Sequence, residues 1–550
     1  MQNSFLEQVP PDVLQHVAFL GAASGSEPPA HLFALLATSR AIYDSLNIRA
    51  NPHLYAAIFK LKYDDISALA SFRVFLTDSS LAAELVQRCR ALRRCFRRDM
   101  SPCGLRQDLW TTLCMLAEGD SRNARQLSEA GFPKFILELA FSFLRDDVAC
   151  SLFPDKGEEM KALILWLLCL GLTRQDILMR NRDERRALLD LLRPFVAASR
   201  ISPLTSPLSS SSLHLRISHP RTDAGFAWPS MEVASSHGAS QDPADVGFVR
   251  YARICSPWLP PPSDAAIILT FALIEAVPLQ IPFHLPATRA IAIATNRPGP
   301  TMEDYVVFQR TGTLLYSDIR RTTRTASDST RSSTPLNLLE RDPELANVLG
   351  VPSASDHERR LPAYLPGSLT GVWEGSLMIS SCLSLGDGPA PAAPDFLCRT
   401  PLQCVFSEFF GWASGAPADE ALRGSLMPHT TKEQVSHILW PHQACAAPKS
   451  GCGRTIADHA VDNVIIGQTL EAHEQAWGGF EFAGRVHSDG LIVFKRQPKH
   501  DTSETAETWV FEGHLRYGTV LIGTFRSASA DGIQGIFSMR RRTEGAAPAA

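Results

Sequence analysis

The sequence predicts a multidomain α plus β protein, with helices through its N-terminal part and an antiparallel β-barrel at its C-terminal end. Three observations carry this. From residue 5 to about residue 200 apolar residues recur at helical spacing, as in the Leu163-Leu167-Leu170 stripe. From about residue 366 the pattern alternates instead, in LTGVWEGSLMI, GFEFAGRVHSDGLIVFKR, TWVFEGHLRYG and VLIGTFRS. Polar, Ser- and Pro-rich stretches interrupt both halves and cannot bury enough apolar surface to offset chain entropy. At 550 residues, 45% hydrophobic and 20% charged, the chain is long enough for several cores.

Residues 1–62 read as a compact helical module. Pro10 and Pro11 suit a helix start and Asp12 puts a negative charge in its first turn. Val13, Leu14, Val17 and Leu20 then follow at helical spacing. After a break at Gly21 to Pro29, Leu32, Leu35, Leu36 and Ser39 predict a second helix. Pro52, Leu54, Tyr55, Ile58 and Phe59 predict a third, after a turn near Asn51. A unit of roughly 60 residues is marginal alone, so exposed Val and Leu on it mark a surface that another protein completes. The other reading is that three amphipathic helices simply begin a larger helical domain.

Val9-Pro10-Pro11-Asp12-Val13-Leu14 and Pro52-His53-Leu54-Tyr55 resemble the opening and closing segments of the F-box family. The chain departs from that pattern in Val9, where the family has Leu, and in a longer loop from Gly21 to Ala30. The resemblance implies docking onto the Skp adaptor of an SCF-type cullin-RING ubiquitin ligase. The residues it implies for that contact are Val9, Pro10, Val13, Leu14, Val17, Leu20, Leu32, Leu35, Leu36, Pro52, Leu54 and Tyr55.

Residues 63–200 read as helix throughout. Leu81, Leu85, Cys89, Leu92 and Phe96 form an apolar stripe, and Arg90, Arg93, Arg94, Arg97 and Arg98 occupy the rest of that helix as a solvated basic face. Leu109 to Ala140 lays out three helices with breaks at Gly119-Asp120-Ser121 and Ala130-Gly131-Phe132-Pro133. It is similar to an armadillo-type repeat, with Asn123 in place. Residues 201–247 read as a flexible Ser/Pro linker, with Ser202-Pro203 and Ser206-Pro207 as phosphate-accepting pairs or plain spacer. In the connector 248–365, helices are expected over Pro261 to Val277 and Pro286 to Asn296, and disorder over 320–335.

Residues 366–541 supply the strands, LCRTPLQCVFSEFF and DNVIIGQTLE among them, and barrel closure is the economical way to remove their edges. Gly371, Gly375, Gly484, Gly513 and Gly523 fall inside strands, where glycine relieves a bend or admits close packing. Gly371-x-Trp373-x-Gly375 looks like the first strand of lipocalin-type barrels, in which a Trp closes one end. The order of helices then barrel resembles a group of fungal F-box proteins, and a similar barrel in an animal F-box protein recognises a substrate tail. Trp373, Phe409, Phe410 and Trp412 are the candidate binding wall, with core packing as their other reading. An insertion, 411–462, leaves the barrel, and 542–550 reads as a disordered tail.

The formal charge of −4 argues against a nucleic-acid or membrane-surface binder, which needs a basic field. The twelve cysteines follow no disulfide framework, and Cys114 and Cys169 stand in apolar helix runs, so a cytosolic or nuclear location is expected. The longest apolar stretches, Ala162 to Leu172 and Ala265 to Phe271, are shorter than the ~20 residues that span a bilayer. No nucleophile elbow, phosphate loop, dinucleotide glycine run or His-Glu-x-x-His helix is present, and no catalytic role or cofactor is expected. Cys404 with Glu408 lacks the spacing of a catalytic arrangement. Among His437, His442, Cys445, Cys452 and His459 only His442 and Cys445 are paired closely, so no metal site is expected. Two functions remain: a target-recognition subunit of a ubiquitin ligase, with an unidentified protein target, or a scaffold or small-ligand barrel with a helical interaction domain.

Overall fold

The computed structural model describes residues 5–23, 30–64, 76–118, 122–145, 157–198, 248–250, 253–255, 259–319, 364–380, 396–412, 460–487, 490–499, 508–527 and 533–542. The linker 201–247, the stretch 320–335, Ser202, Ser206 and the five His and Cys residues between 437 and 459 lie outside these. The chain divides into two units, residues 1–273 with 315–361, and residues 274–314 with 362–550.

The first unit is helical. A 3-10 turn, Phe5–Gln8, precedes α1 (Pro11–Ala23), α2 (Ala30–Leu36), α3 (Arg40–Leu46) and α4 (Pro52–Lys62). The opening module thus has four helices where the spacing predicts three. Ser39, expected inside the second helix, lies beyond its end at Leu36: its Oγ accepts from the Ile42 amide at 3.3 Å and starts α3. A serine competes with the backbone for hydrogen bonds and so favours caps over helix interiors. Asn51 joins the pieces, accepting from Gln15 Nε2 at 2.9 Å while its own amide donates to the Ser45 carbonyl.

α5 (Asp78–Arg97) begins at a capping box of Thr77 and Ser80 and packs against α4. α6 (Leu105–Glu118), α7 (Arg122–Glu129) and α8 (Phe132–Phe143) follow the three-helix layout expected of Leu109 to Ala140. Gly131, at φ 73°, makes the turn into α8, a backbone region that favours glycine, and Pro133 fills the first turn. α9 (Gly157–Gly171) is buried on all sides from Met160 to Leu170 and packs on α6 and α8. α10 (Arg174–Leu178), α11 (Arg182–Ala198) and the hairpin β1 (Phe248–Arg250) with β2 (Arg253–Cys255) complete the unit up to α12 (Pro262–Glu275). The basic face of α5 is not uniformly solvated. Arg94 is buried because it donates to Asp108 at 2.6 Å and to the carbonyls of Asp99, Ser101 and Cys103, whereas Phe96, expected in the stripe, is exposed.

In the second unit α13 (Arg289–Ala294) and α14 (Met302–Arg310) precede the barrel, joined by an Arg289–Asp304 ion pair at 2.6 Å. Eight antiparallel strands close a ring in chain order: β3 (Gly371–Ser380), β4 (Phe396–Trp412), β5 (Ala460–Gln468), β6 (Phe480–Val486), β7 (Ile492–Pro498), β8 (Trp509–Arg516), β9 (Val520–Ser527) and β10 (Gln534–Arg541), which returns to β3. A helix, α15 (Glu471–Trp477), connects β5 to β6. The interior is filled by the chain's own rings, with Phe494 stacked on Phe511 at 4.8 Å, Trp509 on Phe525 at 5.0 Å, and Phe537 edge-on to Phe511 at 5.2 Å. An eight-stranded ring is just wide enough for such filling. Gly513 and Gly523 face each other across β8 and β9, and a Cβ on Gly523 would meet the Glu512 carbonyl and, at 2.5 Å, the Gly513 Cα.

Candidate functional site

Two places in the described residues combine exposure or burial with chemistry that the fold alone does not require. The first is α1. Leu14, Leu32, Leu54 and Tyr55, expected to face a partner, instead form the module's own core, and the Tyr55 hydroxyl donates to the Leu46 carbonyl at 3.0 Å. Val9, Leu35, Leu36 and Pro52 are half-buried. Pro10, just before α1, and Val13, Val17 and Leu20, which share one face of α1, are exposed instead. Leu6, Val13, Val17 and Leu20 are 40 to 55% exposed. Phe33 on α2, which sequence spacing did not single out, is also exposed. The inner face of α1 is thus packed in the module while its outer face is still apolar.

Behind α4, which packs on α1, lies one buried cation. Arg88 of α5 donates from Nη2 to Glu118 at 2.5 Å, from Nε to Glu84 at 3.1 Å, and from Nη1 to the Asp64 carbonyl at 2.7 Å and to Asn123 Oδ1 at 3.1 Å. Its guanidinium lies 4.6 Å from the Phe59 ring and 5.3 Å from that of Tyr63, both on or next to α4. Asp64 in turn accepts from the amides of Arg122 and Asn123 at 2.9 and 3.1 Å. Asn123 thus ties the end of α4 to α7, and the four-helix module joins the repeat-like helices through polar bonds that are all within the first unit.

The second place is the barrel. One end is latched by Glu408, which is buried and accepts from the amides of Gly367, Leu369 and Thr370 at 2.8, 2.6 and 3.0 Å. These bonds hold residues 364–370 across the opening, and burial together with the Glu408 carboxylate pushes the Tyr364 hydroxyl pKa up. Trp373 sits inside with its Nε1–H donated to the Leu369 carbonyl at 2.6 Å, so it plugs this end, as the Gly-x-Trp-x-Gly element implies. Phe409 is half-buried; the side chains of Phe410 and Trp412 lie outside the described residues. Cys404 is fully buried, and burial pushes its thiol pKa up.

At the other end Arg496 occupies an inward position of β7, in phase with Ile492 and Phe494, and is nearly buried. Its guanidinium is sandwiched between the rings of Phe480 at 4.1 Å and Trp509 at 3.9 Å. The Trp509 Nε1–H is buried and meets no acceptor among the described residues. His473 on α15 is pushed down to about 4 by burial, then by the Arg496 cation, with Asp304 opposing. Sequence spacing missed this group, although an arginine in the inward phase of a strand was the available signal. Among the described residues no cluster of His, Cys, Asp and Glu is placed to hold a metal ion, and no helix is long and apolar enough to cross a membrane. Comparison of the chain with known protein families, curated proteins and solved structures finds no match.

Proposed function

We propose that the chain is the target-recognition subunit of an SCF-type cullin-RING ubiquitin ligase. In this reading the N-terminal module docks on the Skp adaptor and the β-barrel selects a protein target. The observation that supports it is the apolar face of α1, Val13, Val17 and Leu20, left exposed together with Leu6 and Pro10 just before it, on a module whose core is packed. It falls on the segment whose residues resemble the F-box opening. The filled barrel interior favours a protein target held at the rim over a small molecule carried inside. Such a subunit makes and breaks no bonds; it raises the effective concentration of target lysines near a charged conjugating enzyme.

Co-purification of the full chain with the Skp adaptor tests this. Val13 and Val17 are about half exposed, so covering what remains is worth about 1.5–3 kcal/mol together, and with the cost of desolvating two carboxylates the Val13→Asp, Val17→Asp variant is expected to lose more than about a hundredfold in affinity. Both side chains point away from the module's core, so the variant should keep its circular dichroism spectrum and melting temperature. If the wild-type chain fails to bind the adaptor, the reading is wrong.

A further inference from the structure

We propose that Arg93 and Arg97, on the exposed face of α5, receive an acidic segment of the same partner that covers the α1 stripe. The proposal rests on the docking reading above and adds a second, electrostatic contact to it. Six arginines stand between residues 88 and 98 in a chain whose formal charge is −4. Four of them are engaged within the first unit. Arg88 and Arg94 are buried against Glu84, Glu118 and Asp108, Arg90 donates to Asp108 at 2.5 Å, and Arg98 reaches Glu138 at 3.5 Å. Arg93 and Arg97, one turn apart and both exposed, form no ion pair or hydrogen bond with a carboxylate among the described residues, although Arg97 is close enough to the exposed Asp99 to help, after the hydrogen bonds from Ser101 and the Arg94 cation, to lower its pKa.

The position of Arg93 connects this charge to the docking module. Its guanidinium lies 5.4 Å from the ring of Phe33, the exposed aromatic of α2, and α2 packs on α1. Stacking on a ring leaves the in-plane N–H groups of an arginine directed outward, in the fork that fits a carboxylate. An apolar stripe on a module linked through Phe33 to the stacked Arg93, with Arg97 one turn further along α5, is complementary to a partner with an apolar groove bordered by Asp or Glu. A nucleic acid would require a broader basic field than two cations among Val86, Phe33 and Phe96, all exposed apolar residues.

The test measures association of the full chain with the Skp adaptor at low and high salt, for the wild type, Arg93→Glu, Arg97→Glu and Arg93→Lys, Arg97→Lys. Charge reversal is expected to slow association by at least about tenfold at low salt and to flatten its salt dependence, while the lysine pair stays within about threefold of wild type. If the reversed variant associates like wild type at every salt concentration while Val13→Asp, Val17→Asp does not bind, this inference falls and the ligase reading stands. If wild type binds no adaptor, both fall. Retention of a duplex oligonucleotide that is lost on reversal, with adaptor association unchanged, would assign these cations to nucleic acid and also overturn the inference.

Discussion

Replacing Arg88 with methionine should cost the first unit most of its stability. Methionine nearly fills the volume and adapts to irregular space, so the cavity contribution is small. What goes is the cation that faces Glu118 at 2.5 Å and Glu84 at 3.1 Å, both in the interior. Removing one partner of a buried ion pair costs about 3–5 kcal/mol, and losing the contacts with the Phe59 and Tyr63 rings adds about 1 kcal/mol. The sum, about 4–6 kcal/mol, compares with a total of about 5–15 kcal/mol for an ordinary domain. Urea unfolding of the full chain, followed through the fluorescence of the buried Trp110 and Trp166, reads this as a large fall in the midpoint of the first unit. Adding Glu84→Gln and Glu118→Gln should recover part of the loss, because neutral amides need no cation. An Arg88→Met midpoint within about 1 kcal/mol of wild type would refute the account of Arg88 as the clamp that joins α4 to α5, α6 and α7.

Three further outcomes are expected. Glu408→Gln replaces an acceptor-only carboxylate by a group that also presents N–H toward the amides of residues 367–370; it should lower the barrel's stability by about 2–4 kcal/mol and speed hydrogen exchange at Leu369 and Thr370, and unchanged exchange there would count against the latch. His473 has a folded pKa of about 4, below its ordinary value of 6.5, so the unfolded chain binds more protons in between; its contribution is intact above about pH 6.5 and is lost as pH falls toward 4, by up to about 3 kcal/mol. His473→Gln should remove that part of the acid dependence of barrel unfolding, and an identical pH profile would contradict it. Gly523→Ala drives a methyl group into the β8 backbone and should destabilise the barrel by about 1–3 kcal/mol in thermal unfolding, with a neutral result excluding the close approach of the two strands.

The barrel was legible in the sequence because several strands repeat their inward and outward phases over enough residues to be unambiguous, as in Trp509-x-Phe511-x-Gly513. The eighth strand, Gln534–Arg541, carries no such signal, since QGIFSMRR puts Ile536, Phe537 and Met539 together without clean alternation. Those residues are buried on both faces of the strand, where a filled interior and covered outer surface both accept apolar side chains. Helices α14 and α15 were missed as short segments of low amphipathicity, although Thr301 and Asp304 form a capping box that marks the first. For the docking module the sequence located the right helices but not which side faces out. Leu14 and Val13 are equally apolar, and only the packing of α1 on α2 and α4 turns one inward and leaves the other exposed. Arg88 was illegible for a different reason: only Glu84 stands at helical i,i+4 spacing on its own helix, while Asp64, Glu118 and Asn123 come from other segments that no local spacing brings together.

Ring closure in the barrel has a consequence for how such a chain can vary. In an open sheet a lengthened connection risks changing which strand is left at the border. In a closed ring each strand already has both neighbours, and Gly411 stands opposite Asp462 whatever length of chain separates them. The entropy of closing a longer loop grows only with the logarithm of its length. Connecting segments at either rim can therefore be exchanged, extended or trimmed with the strand registers and the aromatic filling left as they are, so that selectivity and stability are written in different residues.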